Sequence, residues 1–392
     1  MRNFISKKAQ DLKPSGIRRF FDIVSERKDV ISLGVGEPDF ITPWEIRDEG
    51  IKTIKRGYTQ YTSNSGLVSL RKEISEYLKT SFNVNYSFED TVITVGASEA
   101  IDITLRAIVD EGDEILIPDP SYVSYKPCVE LSGGKAVPVY CDGKNAFKLT
   151  PENLEKVITN KTKALIFPYP NNPTGGIMDR EDIEKIIPII IKHDLLVISD
   201  EIYAELTYGK KHCSIASFKE MQDRVVYIGG FSKSFAMTGW RVGFVCAPKE
   251  VKTALLKIHQ YTIICAPIFS QYAAEQGLKT GKADGYSSVS LMREEYDKRR
   301  RFMYKSFKEM GLDVFMPEGA FYIFPCVKNT GLSGEEFALK LLEEKQVAVV
   351  PGNAFGEFGN DYIRCSYAYS MKNLMCAMEK IAEFVKERKI KE

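Results

Sequence analysis

Between about residues 90 and 250, short apolar runs recur between stretches whose apolar residues return every three or four positions. The runs are Val92–Val95, Ile115–Ile117, Lys163–Phe167, Leu195–Ser199, Val225–Ile228 and Val242–Cys246. Segments of this length without polar alternation read as strands buried on both faces. Among the helical stretches, Asp179 stands as an N-cap with Asp182 in the first turn, ahead of Ile183, Ile186, Ile187 and Ile190 on one face. Pro188 falls inside that helix and predicts a kink or an early end to its regular hydrogen bonding. Strand and helix alternating in this way imply an α/β layered domain with a mainly parallel sheet.

After about residue 285 the texture changes to a charged helical stretch, Met292–Met310, two apolar runs, Phe321–Phe324 and Val347–Val350, and a terminal helix from Lys372. This predicts a smaller α+β domain. We divide the chain into a large domain, 40–285, and a small domain of 1–39 with 286–392. No repeat or long Gly/Ser linker separates them, so a substantial interface with a ligand cleft is expected.

Basic and acidic residues nearly cancel, 54 against 53, which leaves no electrostatic footprint for nucleic acid or an anionic membrane. The apolar stretch Ile186–Ile191 is too short to span a bilayer, and the N-terminus places charges where a signal peptide needs its apolar segment. A cytoplasmic protein acting on small neutral or zwitterionic molecules is the expectation. The eight cysteines form no Cys-x-x-Cys pair and read as reduced core thiols, with no metal site.

The candidate chemistry gathers after the strands. Gly230-Phe231-Ser232-Lys233-Ser234 follows the run ending at Ile228, and Arg241 stands in an otherwise uncharged segment where an unpaired guanidinium is costly and calls for an anion. Hydroxyl, lysine and arginine near one strand end suit a phosphate, with the lysine free to form an imine. Asp200 ends another strand, where open α/β sheets bind ligands, and suits a pyridinium nitrogen; alternatively, Asp200 or Glu201 caps the next segment. The rigid turn Pro170–Gly175 puts Asn172 at the same edge, with Tyr203 as a second donor for a phenolate oxygen. Thr94–Ala100 reads as strand, glycine turn and helix start, with the amides of Ala97, Ser98 and Glu99 aimed at one spot. Tyr122 follows a strand and suits stacking on a planar ring, and Arg364, charged within an apolar run, suits either a substrate carboxylate or an internal Asp or Glu.

In this order the motifs resemble the fold type I pyridoxal-phosphate enzymes, and within them the class I/II aminotransferases related to aspartate and aromatic aminotransferases. The resemblance runs from Lys13-Pro14-Ser15-Gly16 and Gly34–Phe40 through Tyr58-Thr59-Gln60-Tyr61 and NNPTG (171–175) to FSKSFAMTGWR (231–241) and Tyr362-Ile363-Arg364. It implies a mainly parallel seven-stranded sheet and pyridoxal 5'-phosphate as cofactor. It makes Lys233 the Schiff-base lysine, Asp200 the pyridinium partner, Asn172 and Tyr203 the donors to the ring oxygen and Tyr122 the stacking residue. Ala97, Ser98, Ser232 and Arg241 then hold the phosphate, with Tyr61 reaching it from the neighbouring subunit of a homodimer. Gly36, Asn172 and Arg364 form the substrate site. The chain departs at Gly230, where many members carry a Ser or Thr that also touches the phosphate.

The implied reaction moves an amino group from an L-amino acid to a 2-oxo acid by a ping-pong route. A β-eliminating carbon–sulfur lyase, or a cyclopropane-forming synthase, on the same fold is the rival. A cofactor-sensing DNA-binding regulator would carry a separate basic segment, for which the N-terminus is too short. For a distal substrate carboxylate the candidate cations are Arg18 and Arg19; otherwise Ile17 with Phe20 or Phe21 lines an apolar pocket.

Overall fold

A computed structural model describes residues 2–12 and 29–388. Lys13–Gly16, and with them Ile17, Arg18, Arg19, Phe20 and Phe21, lie outside the described residues. The strands are β1 (Ile31–Ser32), β2 (Thr91–Thr94), β3 (Glu114–Asp119), β4 (Lys135–Tyr140), β5 (Thr162–Phe167), β6 (Leu196–Asp200), β7 (Val225–Gly230), β8 (Gly243–Cys246), β9 (Tyr322–Ile323), β10 (Val347–Ala348), β11 (Val350–Pro351) and β12 (Ile363–Ser366). Seven of them form one sheet in the order β2-β8-β7-β6-β5-β3-β4, parallel except for β8.

Because side chains alternate across a strand, each central strand feeds two cores. Leu165, Phe167, Val197, Val225 and Tyr227 face one layer, which the helices Val68–Phe82, Arg180–Lys192 and Ile268–Asp284 cover. Ala164, Ile166, Ile198, Val226 and Ile228 face the other, covered by Gly96–Ile108, Tyr125–Ser132 and Lys249–Thr262. Strands apolar on both faces are the consequence of this sandwich.

The six strands expected from the apolar runs are all present, and β4 is the one the pattern missed. It lies at the sheet edge, buries only Val139 and carries Pro138, a residue edge strands tolerate. The helix does not end early at Pro188; it runs unbroken from Arg180 to Lys192. A reciprocal cap between Asp179 and Asp182 anchors its start, and buried Ile183, Ile186, Ile187 and Ile190 hold both sides of the proline.

A second core is built from the helices Ser287–Glu309, Gly334–Lys345 and Met371–Lys386 around the antiparallel sheet β11-β12-β9 and the parallel pair β1-β10. Tyr203, Leu206 and Tyr208, which follow β6, are packed within it. Both carboxylate oxygens of Asp39 accept from Arg299 at 2.9 Å, tying the loop after β1 to the helix Ser287–Glu309. All eight cysteines are free thiols; Cys141, Cys246 and Cys365 are buried, but Cys376 is exposed and is no core residue. Among the described residues no helix is long and apolar enough to cross a membrane.

Candidate active site

Parallel strands bring their carboxyl ends to one edge of the sheet, so each loop that follows them opens there. β2 leads to Ala97 and Ser98, β3 to Tyr122, β5 to Asn172, β6 ends on Asp200, and β7 leads to Ser232 and Lys233. β8 runs the other way, so its start lies at this edge; Gly243 pairs with both Thr94 and Gly230, and Arg241 stands just before it. A cavity of about 900 Å³ opens at this edge, lined also by Gly36 and Glu37 from the loop after β1 and by Tyr322 and Arg364 from β9 and β12.

Eleven of the twelve residues that the resemblance assigns to the cofactor and substrate line that cavity: Gly36, Ala97, Ser98, Tyr122, Asn172, Asp200, Tyr203, Ser232, Lys233, Arg241 and Arg364. Tyr61 does not, and its side chain is exposed. Lys233 Nζ donates to the carbonyl of Gly36 at 2.6 Å. Burial lowers the pKa of this amine to about 8, helped by Arg364 and Arg241 and opposed by the Glu37 and Asp200 carboxylates. A drop from 10.5 to about 8 costs roughly 3 kcal/mol of folding free energy at neutral pH. In return, the amine is far more often neutral, and hence nucleophilic, than a solvated lysine.

Asp200 is buried, and burial pushes its carboxyl pKa up. Tyr125 donates to Oδ2 at 2.7 Å, the amide of Ile202 donates to Oδ1 at 3.2 Å, and Lys233 attracts it; all three oppose the shift. The bond to Ile202 shows that Asp200 also caps the following turn. Its neighbour Glu201 points elsewhere, accepting from Ser199, Ser214 and His212.

Arg364, on β12, is 3 % exposed. It donates to the side-chain carbonyl of Asn172 at 2.9 Å and to the carbonyl of Gly34, its guanidinium lies 4.5 Å from the centre of the Tyr322 ring, and Nε has no partner. Among the described residues no Asp or Glu pairs with it, so the internal-carboxylate alternative finds no partner there. A buried cation with neutral partners and a spare donor suits an incoming carboxylate. Arg241 is not buried, as its apolar neighbours suggested: its guanidinium is exposed and donates to the carbonyl of Thr238 at 2.9 Å. Gly96 explains its position: φ there is +79°, and a Cβ would stand 2.7 Å from Arg241 Nη2. The guanidinium therefore abuts the start of the helix Gly96–Ile108, whose first amides, those of Ala97 and Ser98 included, have no intrahelical acceptors.

The geometry adds residues that local patterns did not single out. Tyr125 holds Asp200, and the Tyr322 hydroxyl is 2.9 Å from that of Tyr203. Burial pushes both Tyr203 and Tyr322 up, so both stay protonated; one proton bridges the pair and the other remains to donate outward. At Gly230 a Cβ would meet Ile202 Cδ1 at 2.9 Å and Gly243 Cα at 3.3 Å, so a serine or threonine here requires the tip of Ile202 to give way.

A sheet of this order, with its ligand cavity at the carboxyl edge and roofed by a second α+β layer, defines a fold type I enzyme. The model of the family described as aminotransferase class I and II matches residues 28–381, and the chain belongs to that family. It is 45 % identical over 381 residues to an aspartate aminotransferase of Pyrococcus abyssi, covering 97 % of each chain. It is 41 % identical over 388 residues to aromatic-amino-acid aminotransferase 2 of Thermococcus litoralis, covering 98 % of this chain and 99 % of the other. The crystal structure of an aromatic aminotransferase from Pyrococcus horikoshii superposes with a TM-score of 0.90 at 43 % identity, over 95 % of this chain and 99 % of that one.

Proposed function

We propose that this aminotransferase uses pyridoxal 5'-phosphate, held by Lys233, to exchange an amino group between an L-amino acid and a 2-oxo acid by ping-pong turnover. The observation that carries this reading is the Lys233 amine, lowered to about 8 in a cavity that also holds the buried carboxylate of Asp200 and the buried guanidinium of Arg364. The donor set fits the cofactor. Free first-turn amides, Ser232 and Arg241 form an anion cradle at one end, Asp200 stands as a buried acceptor, and the spare Nε of Arg364 serves a substrate carboxylate.

When bound, pyridoxal phosphate supplies an electron sink for the pair left when a proton leaves the substrate Cα. Ala97, Ser98, Ser232 and Arg241 would hold the phosphate. Asp200 would keep the ring nitrogen protonated, Asn172 and Tyr203 would donate to the ring oxygen, and Tyr122 would stack on the ring. Lys233 would hold the cofactor, and its free amine would move the proton at the substrate Cα. Arg364 and Gly36 hold the α-carboxylate common to both half-reactions.

The same reading makes the enzyme a cytoplasmic homodimer in which Tyr61 completes the partner's phosphate site. Its support is the exposed surface around Tyr58, Tyr61, Tyr261 and Ile264, stitched together by Asn64 Nδ2 donating to the carbonyl of Ile264 at 2.9 Å. β-Elimination is the less favoured chemistry, because the relatives above are named as aminotransferases. Those names divide between aspartate and aromatic amino acids, so the donor is found by experiment. Mixing the cofactor-loaded protein with single amino acids and following cofactor absorbance should show complete conversion with at least one acidic or aromatic donor and regeneration by a 2-oxo acid. Pyruvate and ammonia released without any oxo-acid requirement would replace this reading by the lyase.

A further inference from the structure

The start of the helix Gly96–Ile108 is held from an unexpected side. Val95, the residue before it, has φ −76° and ψ 64° and receives no side-chain cap from its own position. Instead Glu99, inside the first turn, reaches back with one oxygen to accept the Val95 amide at 2.5 Å, and its other oxygen lies 2.6 Å from His259 Nδ1. His259 comes from the last turn of the helix Lys249–Thr262 and is fully buried, and its Nε2 has no partner among the described residues. The one side-chain hydrogen bond of this imidazole is therefore the one to Glu99.

Two consequences follow for an anion at the amides of Ala97 and Ser98. A helix N-terminus attracts negative charge, but Glu99 already brings one to that turn, and an unrestrained carboxylate would compete for the same amides. His259 holds it back: with one oxygen occupied by Nδ1 and the other by Val95, Glu99 caps the turn without reaching those amides. The Val95–Gly96 turn also packs against Arg241 Nη2, so a displacement of the turn misaligns amides and guanidinium together.

We infer that His259 is a positioning residue for the anion site: its hydrogen bond to Glu99 locks the Val95–Gly96 turn so that the amides of Ala97 and Ser98 face a phosphate monoester. The inference rests on reading these amides as the cofactor's phosphate site.

The test titrates the full-length, cofactor-free protein with pyridoxal phosphate, pyridoxal and inorganic phosphate, following intrinsic fluorescence. His259→Leu should weaken pyridoxal phosphate and inorganic phosphate by roughly tenfold, the worth of one misaligned charge-assisted bond, and leave pyridoxal unchanged. His259→Asn, whose amide can reach the Nδ1 position, should restore most of the loss. His259→Gln keeps a polar side chain of similar bulk but carries its donor past that position, so it should show the same selective loss and serves if the leucine variant does not fold. Unchanged phosphate affinity in the leucine or glutamine variant, or an equal loss for pyridoxal and pyridoxal phosphate, would overturn the role of His259. A wild-type protein that binds pyridoxal as tightly as pyridoxal phosphate would instead remove the phosphate site itself.

Discussion

Arg364 and Asn172 are 192 positions apart in sequence, and the guanidinium of the first donates to the side-chain carbonyl of the second at 2.9 Å. The bond fixes which way the Asn172 amide faces: with its oxygen held by Arg364, its NH2 is left to donate into the cavity. Replacing Arg364 with Lys keeps the charge but loses the planar two-point grip. Steady-state kinetics should show kcat/KM falling by roughly 2–3 kcal/mol for every amino and oxo acid alike, more than any loss of cofactor affinity from freeing Asn172. A loss confined to one substrate would move the α-carboxylate elsewhere.

The lowered pKa of Lys233 has a pH signature. Only the neutral amine adds to an aldehyde, so the rate at which cofactor-free protein captures pyridoxal phosphate should rise about tenfold per pH unit below 8 and level off above it. A solvated lysine would keep gaining until above pH 10. Glu37 holds the proton on, so Glu37→Gln should shift the plateau to lower pH. Stopped-flow capture rates from pH 6 to 10 measure both.

Gly230 gives a test of packing against resemblance. Gly230→Ser restores the residue common in the family but drives its Cβ onto Ile202 Cδ1. We expect a loss of roughly 1–2 kcal/mol in stability, recovered when Ile202→Val is added. Calorimetric melting of the single and double variants decides this; a single variant more stable than wild type would contradict the clash.

Tyr61 is 80 % exposed and absent from the cavity of its own chain. If it serves the neighbouring subunit, sedimentation should find a dimer, and Tyr61→Phe should weaken pyridoxal phosphate about tenfold without weakening pyridoxal. A fully active monomer would end that assignment.

Much of this site was legible because an α/β sheet sorts chemistry by position: polar residues just after apolar runs, such as Asp200 and Lys233, arrive at one edge. β4 was not legible, since Pro138 splits its apolar run and argues against a strand, which only an edge position tolerates. Nor were Tyr125 on Asp200, Tyr322 on Tyr203, or His259 on Glu99, whose partners lie 75, 119 and 160 positions away and are set by tertiary packing alone. Arg241 illustrates the opposite failure. Its apolar neighbours suggested burial, but the segment emerges at the cavity mouth and the guanidinium is exposed. At Pro188, buried isoleucines on both sides outweigh the one hydrogen bond the proline removes.

The central claim is amino transfer carried by Lys233, and the most direct measurement follows 15N from a labelled amino donor into a 2-oxo acid, in wild type and in Lys233→Ala. Wild type should transfer the label into the new amino acid with no free ammonia. The variant should fold and still bind inorganic phosphate, while its transfer rate falls by about 10²–10⁴ or more, the worth of a positioned general base. Transfer at a near-normal rate in Lys233→Ala, or label appearing as ammonia in wild type, would contradict the account.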